Sequence, residues 1–365
     1  MSNPPPSSRR PRVRAMSDPA RLTFRAGQVP YLIAEMSGNH KGEIERAIRL
    51  IDAAKAAGAD AVKLQTYTAD TITLKSDRPE FQIHGGPWDG RSLHELYEEA
   101  HTPWAWHPQL FAHAATIGIT LFSSPFDPTA VDLLDRLGAP AFKIASYEIV
   151  DLPLIRYAAA KGKPLIISTG MATLGEIDDA VTAARDAAPA GTPDPVLLHC
   201  TSGYPTPPEE CDLRTIPHLA QAFGVPTGLS DHTHGIAVPV AAVALGAVVI
   251  EKHLTLSRAE GGVDASFSLE PAEFKAMADA CRVAHAALGQ VGYAVKPSEA
   301  GGRSFRRSLY VSAPVKAGEV FTPANVRSVR PGLGLPPKHL DQVLGARAAR
   351  DIDAGQPLDW GMVQP

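Results

Sequence analysis

Residues 225–255 read VPTGLSDHTHGIAVPVAAVALGAVVIEKHLT. Two short apolar runs in this stretch end abruptly in polar side chains, one at Ser230, Asp231 and His232, the other at Glu251, Lys252 and His253. The segment between them, HGIAVPVAAVALGA, is apolar and long enough for one helix. A strand, a helix and a second strand of these lengths make a crossover that lays two strands parallel. His232 and His253 then stand at neighbouring strand ends. Polar groups at the end of an apolar strand cost free energy unless they are partnered or used, so function is expected here.

Working outward, the same unit recurs. Apolar runs at 29–35, 59–65, 118–124, 140–146, 163–169, 195–201, 225–231 and 247–253 read as eight strands, and Ala-rich helical stretches separate most of them. Gly or Pro usually precedes the strand, as Gly58, Gly118, Pro164 and Pro226 do. Eight alternating units predict a closed (β/α)8 TIM barrel. An open doubly wound sheet is the alternative, but no GxGxxG follows the first strand. Nearly every strand ends in polar residues: Glu35; Lys63 and Gln65; Ser123 and Ser124; Lys143, Ser146 and Glu148; Ser168; Ser202 and Tyr204; then the two clusters above. Barrel enzymes carry their chemistry at that face.

The longest connection follows the second strand and carries Trp88, Trp104 and Trp106, which suits a packed lid or a substrate-facing loop. From residue 291 the pattern changes to a linker (291–304) and then a small β-rich module (305–365) with two hairpin signals, KAGE and DAGQ. Residues 1–24, rich in Pro, Ser and Arg, read as a disordered extension, and 25–290 as the barrel. Arg9 and Arg10 are not followed by an apolar stretch, so an export signal is not expected. A net charge of −4 without a broad basic face argues against nucleic acid, and no run suits a membrane span. Three cysteines fit neither a disulfide framework nor a zinc motif, which leaves a reducing, cytoplasmic setting.

Lys63 and Lys143 interrupt apolar strands, so each needs a counter-charge. A bound di- or trianion would supply it, with Ser124, Ser146, Ser168, Ser202 and Ser230 as further donors. Salt bridges to Glu148 or Glu251 are the structural alternative. His232 and His253 either hydrogen-bond within the barrel or ligate a divalent ion with a carboxylate, Glu35 or Glu251, nearby. Glu35, Glu148 and Glu251 are the acid/base candidates. His199, Cys200 and His234 read as structural.

The motifs AEMSGNHKG, KLQTYTADT, FSSPFD, FKIASYEI, ISTGMAT, HCTSGYPTP, GLSDHT and IEKHLT resemble, in order and spacing, the sialic acid synthase family, and the tail around VRPGLG resembles its SAF (antifreeze-like) domain. The resemblance covers about residues 28–362. It implies condensation of phosphoenolpyruvate with an amino-sugar aldehyde, release of phosphate and a divalent ion, Mn²⁺ before Mg²⁺ or Co²⁺. His232 and His253 match the metal ligands. Lys63, Ser124, Lys143, Ser146, Ser168 and Ser230 match phosphoenolpyruvate contacts. Glu35, Gln65, Tyr204 and Asp264 match sugar-side positions, and Glu148 and Glu251 match polar residues around the reacting centre. Arg330 matches an arginine that the SAF domain reaches into a partner subunit, which implies a domain-swapped homodimer. TYTADTITL, the WDGRSLHELYEEAHTPWAWH insertion and DASFSLE are similar to the pseudaminate-forming branch, whose sugar is 2,4-diacetamido-2,4,6-trideoxy-L-altrose. Ser202, Val263 and Ala265 depart from the sialate pattern, in keeping with a different sugar. Sialate- or legionaminate-forming chemistry, a pyruvate aldolase and a non-catalytic carbohydrate-binding protein are the rival readings.

Overall fold

The computed structural model describes residues 22–364. The chain forms two compact units that divide after Gly289. In the first, eight parallel strands close into a barrel: β1 (Tyr31–Glu35), β2 (Ala61–Thr66), β3 (Thr120–Pro125), β4 (Phe142–Ile144), β5 (Leu165–Ser168), β6 (Val196–Cys200), β7 (Thr227–Asp231) and β8 (Val249–His253). Each strand pairs with the next in sequence. Closure is made by β8 on β1, in register from Tyr31 opposite Val249 to Glu35 opposite His253.

All eight strands lie where the apolar runs predict them, most of them trimmed at their ends; β2 and β3 run one residue further, to Thr66 and Pro125. The run 140–146 keeps only Phe142–Ile144, because Ser146 already opens a 3-10 turn, Ser146–Glu148. The connection between β7 and β8 contains a helix of eight residues, Ala237–Ala244; turns occupy the rest.

The strands read as continuous apolar runs because both of their faces are covered. Side chains alternate. Leu32, Ala34, Val62 and Leu64 pack outward against the helices. Ile33, Ala61, Phe122, Ile166, Val196, Leu198 and Val249 form a separate inner cluster. At Gly228 a Cβ would lie 2.3 Å from the Val249 carbonyl oxygen and 2.7 Å from Leu198 Cδ2, so this inner position has room for glycine alone.

The folded chain is already packed at Phe24, whose ring meets Tyr31 edge-on. The remainder of the expected extension, residues 1–21, lies outside the described residues. The long connection after β2 folds into 3-10 turns and three helices, Ala69–Ile72, Leu93–Ala100 with a Ser92–Glu95 capping box, and His107–Ile117. Trp104 and Trp106 pack there: the Trp104 indole donates to Tyr67 O, and Trp106 meets His40 edge-on. Among the described residues no helix is long and apolar enough to cross a membrane.

In the second unit, a 3-10 helix, Pro297–Phe305, occupies part of the stretch read as a linker. Then β9 (Ser308–Val311) pairs antiparallel with β10 (Val326–Val329), and Arg347–Ala348 pairs with Val363–Gln364. Leu309, Val311, Val315, Phe321, Val326, Val343, Ile352 and Leu358 fill its core. The KAGE and DAGQ turns are real, with Gly318 and Gly355 at φ of 81° and 86°.

Candidate active site at the barrel mouth

Two residues up each strand, the inner face changes character. Glu35 follows Ile33, Lys63 follows Ala61, Ser124 follows Phe122, Ser168 follows Ile166 and Glu251 follows Val249. The alternation that hides the apolar residues therefore delivers these side chains to the same interior, and all are buried. The charged members form a chain. Lys63 Nζ lies 2.7 Å from Glu35 Oε2 and 3.6 Å from Glu251 Oε1, and Lys143 Nζ lies 3.3 Å from Glu251 Oε1.

Burial works against every one of these charges, and the neighbours decide the outcome. Glu251, between two lysines, sits below the usual carboxylate range in spite of burial. Burial leaves Glu35 above that range, with Lys63 pulling the other way. Burial also opposes charge on Lys63, but Glu251 and Glu35 outweigh it and hold its pKa high. Lys143 is lowered, because burial there exceeds the help of Glu251. The structural alternative for the lysines is thus met through Glu35 and Glu251. Glu148 pairs with neither lysine among the described residues. Its Oε2 is buried without a partner, and burial pushes its pKa up to about 7.

The serines line the same space. Lys63 donates to Ser124 Oγ at 3.3 Å, and Ser230 Oγ donates to Glu251 Oε1 at 3.1 Å. Ser146 Oγ accepts from the Gly170 N–H at 3.2 Å. A Cβ on Gly170 would lie 2.3 Å from Ser202 Oγ and 2.7 Å from Ser146 Oγ, so glycine lets these two hydroxyls approach. Ser168 Oγ is buried with no partner. A buried hydroxyl without a partner is uncommon in a finished core and fits a group awaiting a ligand.

His232 and His253 face each other across β7 and β8, with ring centroids 5.3 Å apart. The carbonyl of Thr201 lies 3.0 Å from His232 Nδ1, which makes that nitrogen the donor, so the neutral ring carries its lone pair on Nε2. Burial opposes charge on His232, but Cys200 and the Thr201 carbonyl outweigh it and hold its pKa above the ordinary imidazole value. Burial, reinforced by His232 and the lysines, keeps His253 well below the ordinary imidazole range, and its Nδ1 has no partner. Glu251 Oε2 is likewise orphaned. Among the described residues no group of three or more His, Cys, Asp or Glu is already arranged around an ion position. Two imidazoles with bare nitrogens and one carboxylate oxygen nevertheless fit a divalent ion such as Mn²⁺, Mg²⁺ or Co²⁺ that completes its shell with substrate oxygens. Asp231 is not part of this set. It lies on the alternate face, where it pairs with Lys252 and accepts from Thr233.

Above the histidines, Tyr204 stacks obliquely on His232 at 4.4 Å, and Trp88 packs on Tyr204 at 5.7 Å. The Trp88 indole donates to Val263 O at 2.9 Å. Of the three tryptophans in the long connection, this one borders the mouth. Gln65 Nε2 donates to Glu35 Oε1 at 2.9 Å and to Ser37 Oγ at 3.1 Å, and Ser37 Oγ donates in turn to Asp264. The barrel thus brings together every predicted site residue except Arg330, which lies in the second unit, exposed, before a cis bond to Pro331.

Two residues of the site escaped the sequence reading. Cys200 is not remote from it: its Sγ lies 3.9 Å from His232 Nδ1 and 3.9 Å from Ser202 Oγ. Burial raises the thiol, but His232 more than offsets this and leaves it below its usual range. Strand parity could have found it, because Val196, Leu198 and Cys200 share one face. Ser37 is the other, and it shares the face of Ile33 and Glu35. His199, by contrast, is structural as read, held to Cys211 O at 2.6 Å.

A closed (β/α)8 barrel with this charged mouth, followed by a small β domain, defines a class of barrel enzyme. Comparison with known proteins narrows it. A model of the NeuB family matches residues 50–293, and a model of the SAF domain matches residues 306–364. The chain is 47% identical over 341 residues to a pseudaminic acid synthase of Campylobacter jejuni, covering 93% of this chain and 98% of that one. It is 42% identical over 332 residues to a pseudaminic acid synthase of Helicobacter pylori, covering 91% and 97%. A solved structure, the N-acetylneuraminic acid synthetase from Leptospira borgpetersenii in complex with citrate, superposes with a TM-score of 0.67 at 30% identity, covering 76% of this chain and 90% of that one. The chain belongs to the NeuB family, and its second unit is a SAF domain.

Proposed function

We propose that this enzyme condenses phosphoenolpyruvate with 2,4-diacetamido-2,4,6-trideoxy-L-altrose to give pseudaminic acid and phosphate. The near full-length identity to synthases of that acid supports the sugar assignment. The observation that carries the chemistry is the set of two buried lysines, the two glutamates that pair with them and an unpartnered Ser168 hydroxyl at one barrel mouth.

In the reaction, the enol carbon of phosphoenolpyruvate attacks the aldehyde carbon, the electron-poor C2 takes up water, and the tetrahedral species expels phosphate. Lys63 and Lys143, with Ser124, Ser146, Ser168 and Ser230, hold the carboxylate and phosphate of phosphoenolpyruvate. They stabilise the charge that builds on the departing phosphate. Both lysines are already engaged by glutamates, so the anion displaces part of an existing ion network. Glu148, with a pKa brought near neutrality by burial, suits proton transfer at the attacking water; Glu35 is the second candidate. A divalent ion on His232 and His253, Mn²⁺ in this reading, would polarise the sugar carbonyl. Tyr204, Gln65 and Asp264 lie on the sugar side, where Ser202 also stands. We read the protein as a cytoplasmic, domain-swapped homodimer in which Arg330 of each SAF domain reaches the barrel of the other copy.

A phosphate-release assay with phosphoenolpyruvate and Mn²⁺ tests this, run with the altrose derivative and with N-acetylmannosamine, before and after EDTA. Release with the altrose sugar alone, lost on chelation, is expected. His232→Ala should abolish turnover and weaken Mn²⁺ binding by calorimetry; an active, metal-binding variant would remove His232 from the ligand set.

A further inference from the structure

Ser37 adopts a left-handed backbone conformation, with φ of 46°. A residue other than glycine, asparagine or aspartate seldom does so, and such strain persists where the surroundings demand it. A glycine would make the same turn at less cost, so the side chain must be what the site uses. That side chain is buried and doubly engaged. Its Oγ donates to Asp264 and accepts from Gln65 Nε2 at 3.1 Å. Asp264, on the loop after β8, also accepts from the Gly38 N–H, so it grips the Ser37–Gly38 turn at two points. Gly38 permits that grip: a Cβ there would lie 2.3 Å from Val263 Cγ2.

The consequence falls on Gln65. A side-chain amide has two N–H donors and one acceptor oxygen. One N–H of Gln65 goes to Glu35 Oε1, whose carboxylate is ion-paired through its other oxygen to Lys63. The second goes to Ser37 Oγ, whose own proton is committed to Asp264. Both donors are therefore spent on protein, and Oε1 has no hydrogen-bond partner among the described residues. Gln65 is only partly buried, at the C-terminal end of β2.

We propose that Ser37 is a positioning residue for sugar recognition: braced by Asp264, it locks the Gln65 amide so that Oε1 faces the mouth as a fixed acceptor for a hydroxyl or acetamido N–H of the sugar. Asp264 then acts on the Gln65 amide through Ser37. Without the Ser37 hydroxyl, the amide has one anchor instead of two and can rotate its oxygen away. The proposal rests on the sugar-condensing reading above.

The test is steady-state kinetics and thermal melting of Ser37→Gly and Ser37→Ala beside the wild type, each on the sugar that the wild type turns over best. For both variants the sugar KM is expected to rise about tenfold, with the phosphoenolpyruvate KM within about twofold and kcat little changed, the pattern of lost ground-state binding. Both variants lose the Ser37 hydrogen bonds and should melt below the wild type, Ser37→Gly by less than Ser37→Ala because glycine relieves the left-handed strain. A sugar KM that stays within about twofold in Ser37→Gly, or an equal rise in both KM values, would overturn the role. So would a melting point for Ser37→Gly below that of Ser37→Ala. If the wild type prefers N-acetylmannosamine, the substrate assignment falls, while the Ser37 comparison is still decided on that sugar.

Discussion

The inside of the barrel holds two layers built by one rule. In the lower layer, Ile33, Ala61, Phe122, Ile166 and Val249 are buried among one another. In the upper layer, two residues further along the same strands, Glu35, Lys63, Ser124, Ser168 and Glu251 are equally buried. The step between layers is about 7 Å. Backbone, alternation and burial are the same in both. What differs is what each layer lacks. The lower layer is complete, with apolar surfaces in mutual contact. The upper layer keeps orphaned polar atoms, on Ser168, Glu251 and His253. A native core rarely leaves such atoms, so the upper layer has the marks of a site waiting for its ligand.

That contrast can be broken by removing one charge from the upper layer. Lys143→Met is expected to lower phosphate release about a thousandfold, some 4 kcal/mol in barrier, since one donor to the departing anion is lost. Glu251 keeps Lys63, so the fold should survive, which circular dichroism and melting would check. A variant with near-normal turnover would reduce Lys143 to a structural ion pair.

The lower layer should answer in the opposite currency. Phe122→Ala leaves a cavity in the apolar layer and is expected to cost about 3 kcal/mol in urea unfolding, with specific activity per folded molecule largely retained. Activity lost in proportion to neither stability nor folding would mean that the layers are not separable.

The smallest effect sharpens the comparison on Glu148. Its folded pKa, about 7, lies above the ordinary carboxylate value. The folded state therefore binds this proton more tightly than the unfolded chain does. Stability from this group is present at low pH and is lost as pH rises from the unfolded value through about 7. Glu148→Gln should remove that decline, reducing the stability difference between pH 5 and pH 8 by on the order of 2 kcal/mol. It should also erase an activity limb near neutrality. An unchanged pH–stability curve would show that Glu148 is better solvated than its surroundings suggest.

How much of this could be read beforehand follows from which interactions are local. Eight strands were legible because each is an apolar run closed by polar residues, and because parallel strands covered on both faces leave no polar alternation to confuse the reading. The metal and anion candidates were legible for the same reason: lysine, histidine and glutamate inside apolar runs stand out. The choice between Glu148 and Glu251 for the lysines and the placing of Asp231 were not. Asp231 is one residue from Ser230 and from His232, and only the strand's parity sends it to Lys252 on the other face. Cys200 looked like an ordinary buried thiol until β6 and β7 were set side by side.

By itself, the sequence determined the number of strands, the end of each that carries chemistry, the division near residue 290 and the residue types at the mouth. These follow from hydrophobic period and from the cost of burying charge, both of which act along a few residues of chain. The tertiary structure alone decided who partners whom. It joins Glu35 to Lys63, Lys63 and Lys143 to Glu251, and Ser37 to both Gln65 and Asp264. Those pairs come from strands and loops far apart in the chain, and barrel closure sets their separations to within hydrogen-bonding distance. No local pattern encodes such a distance.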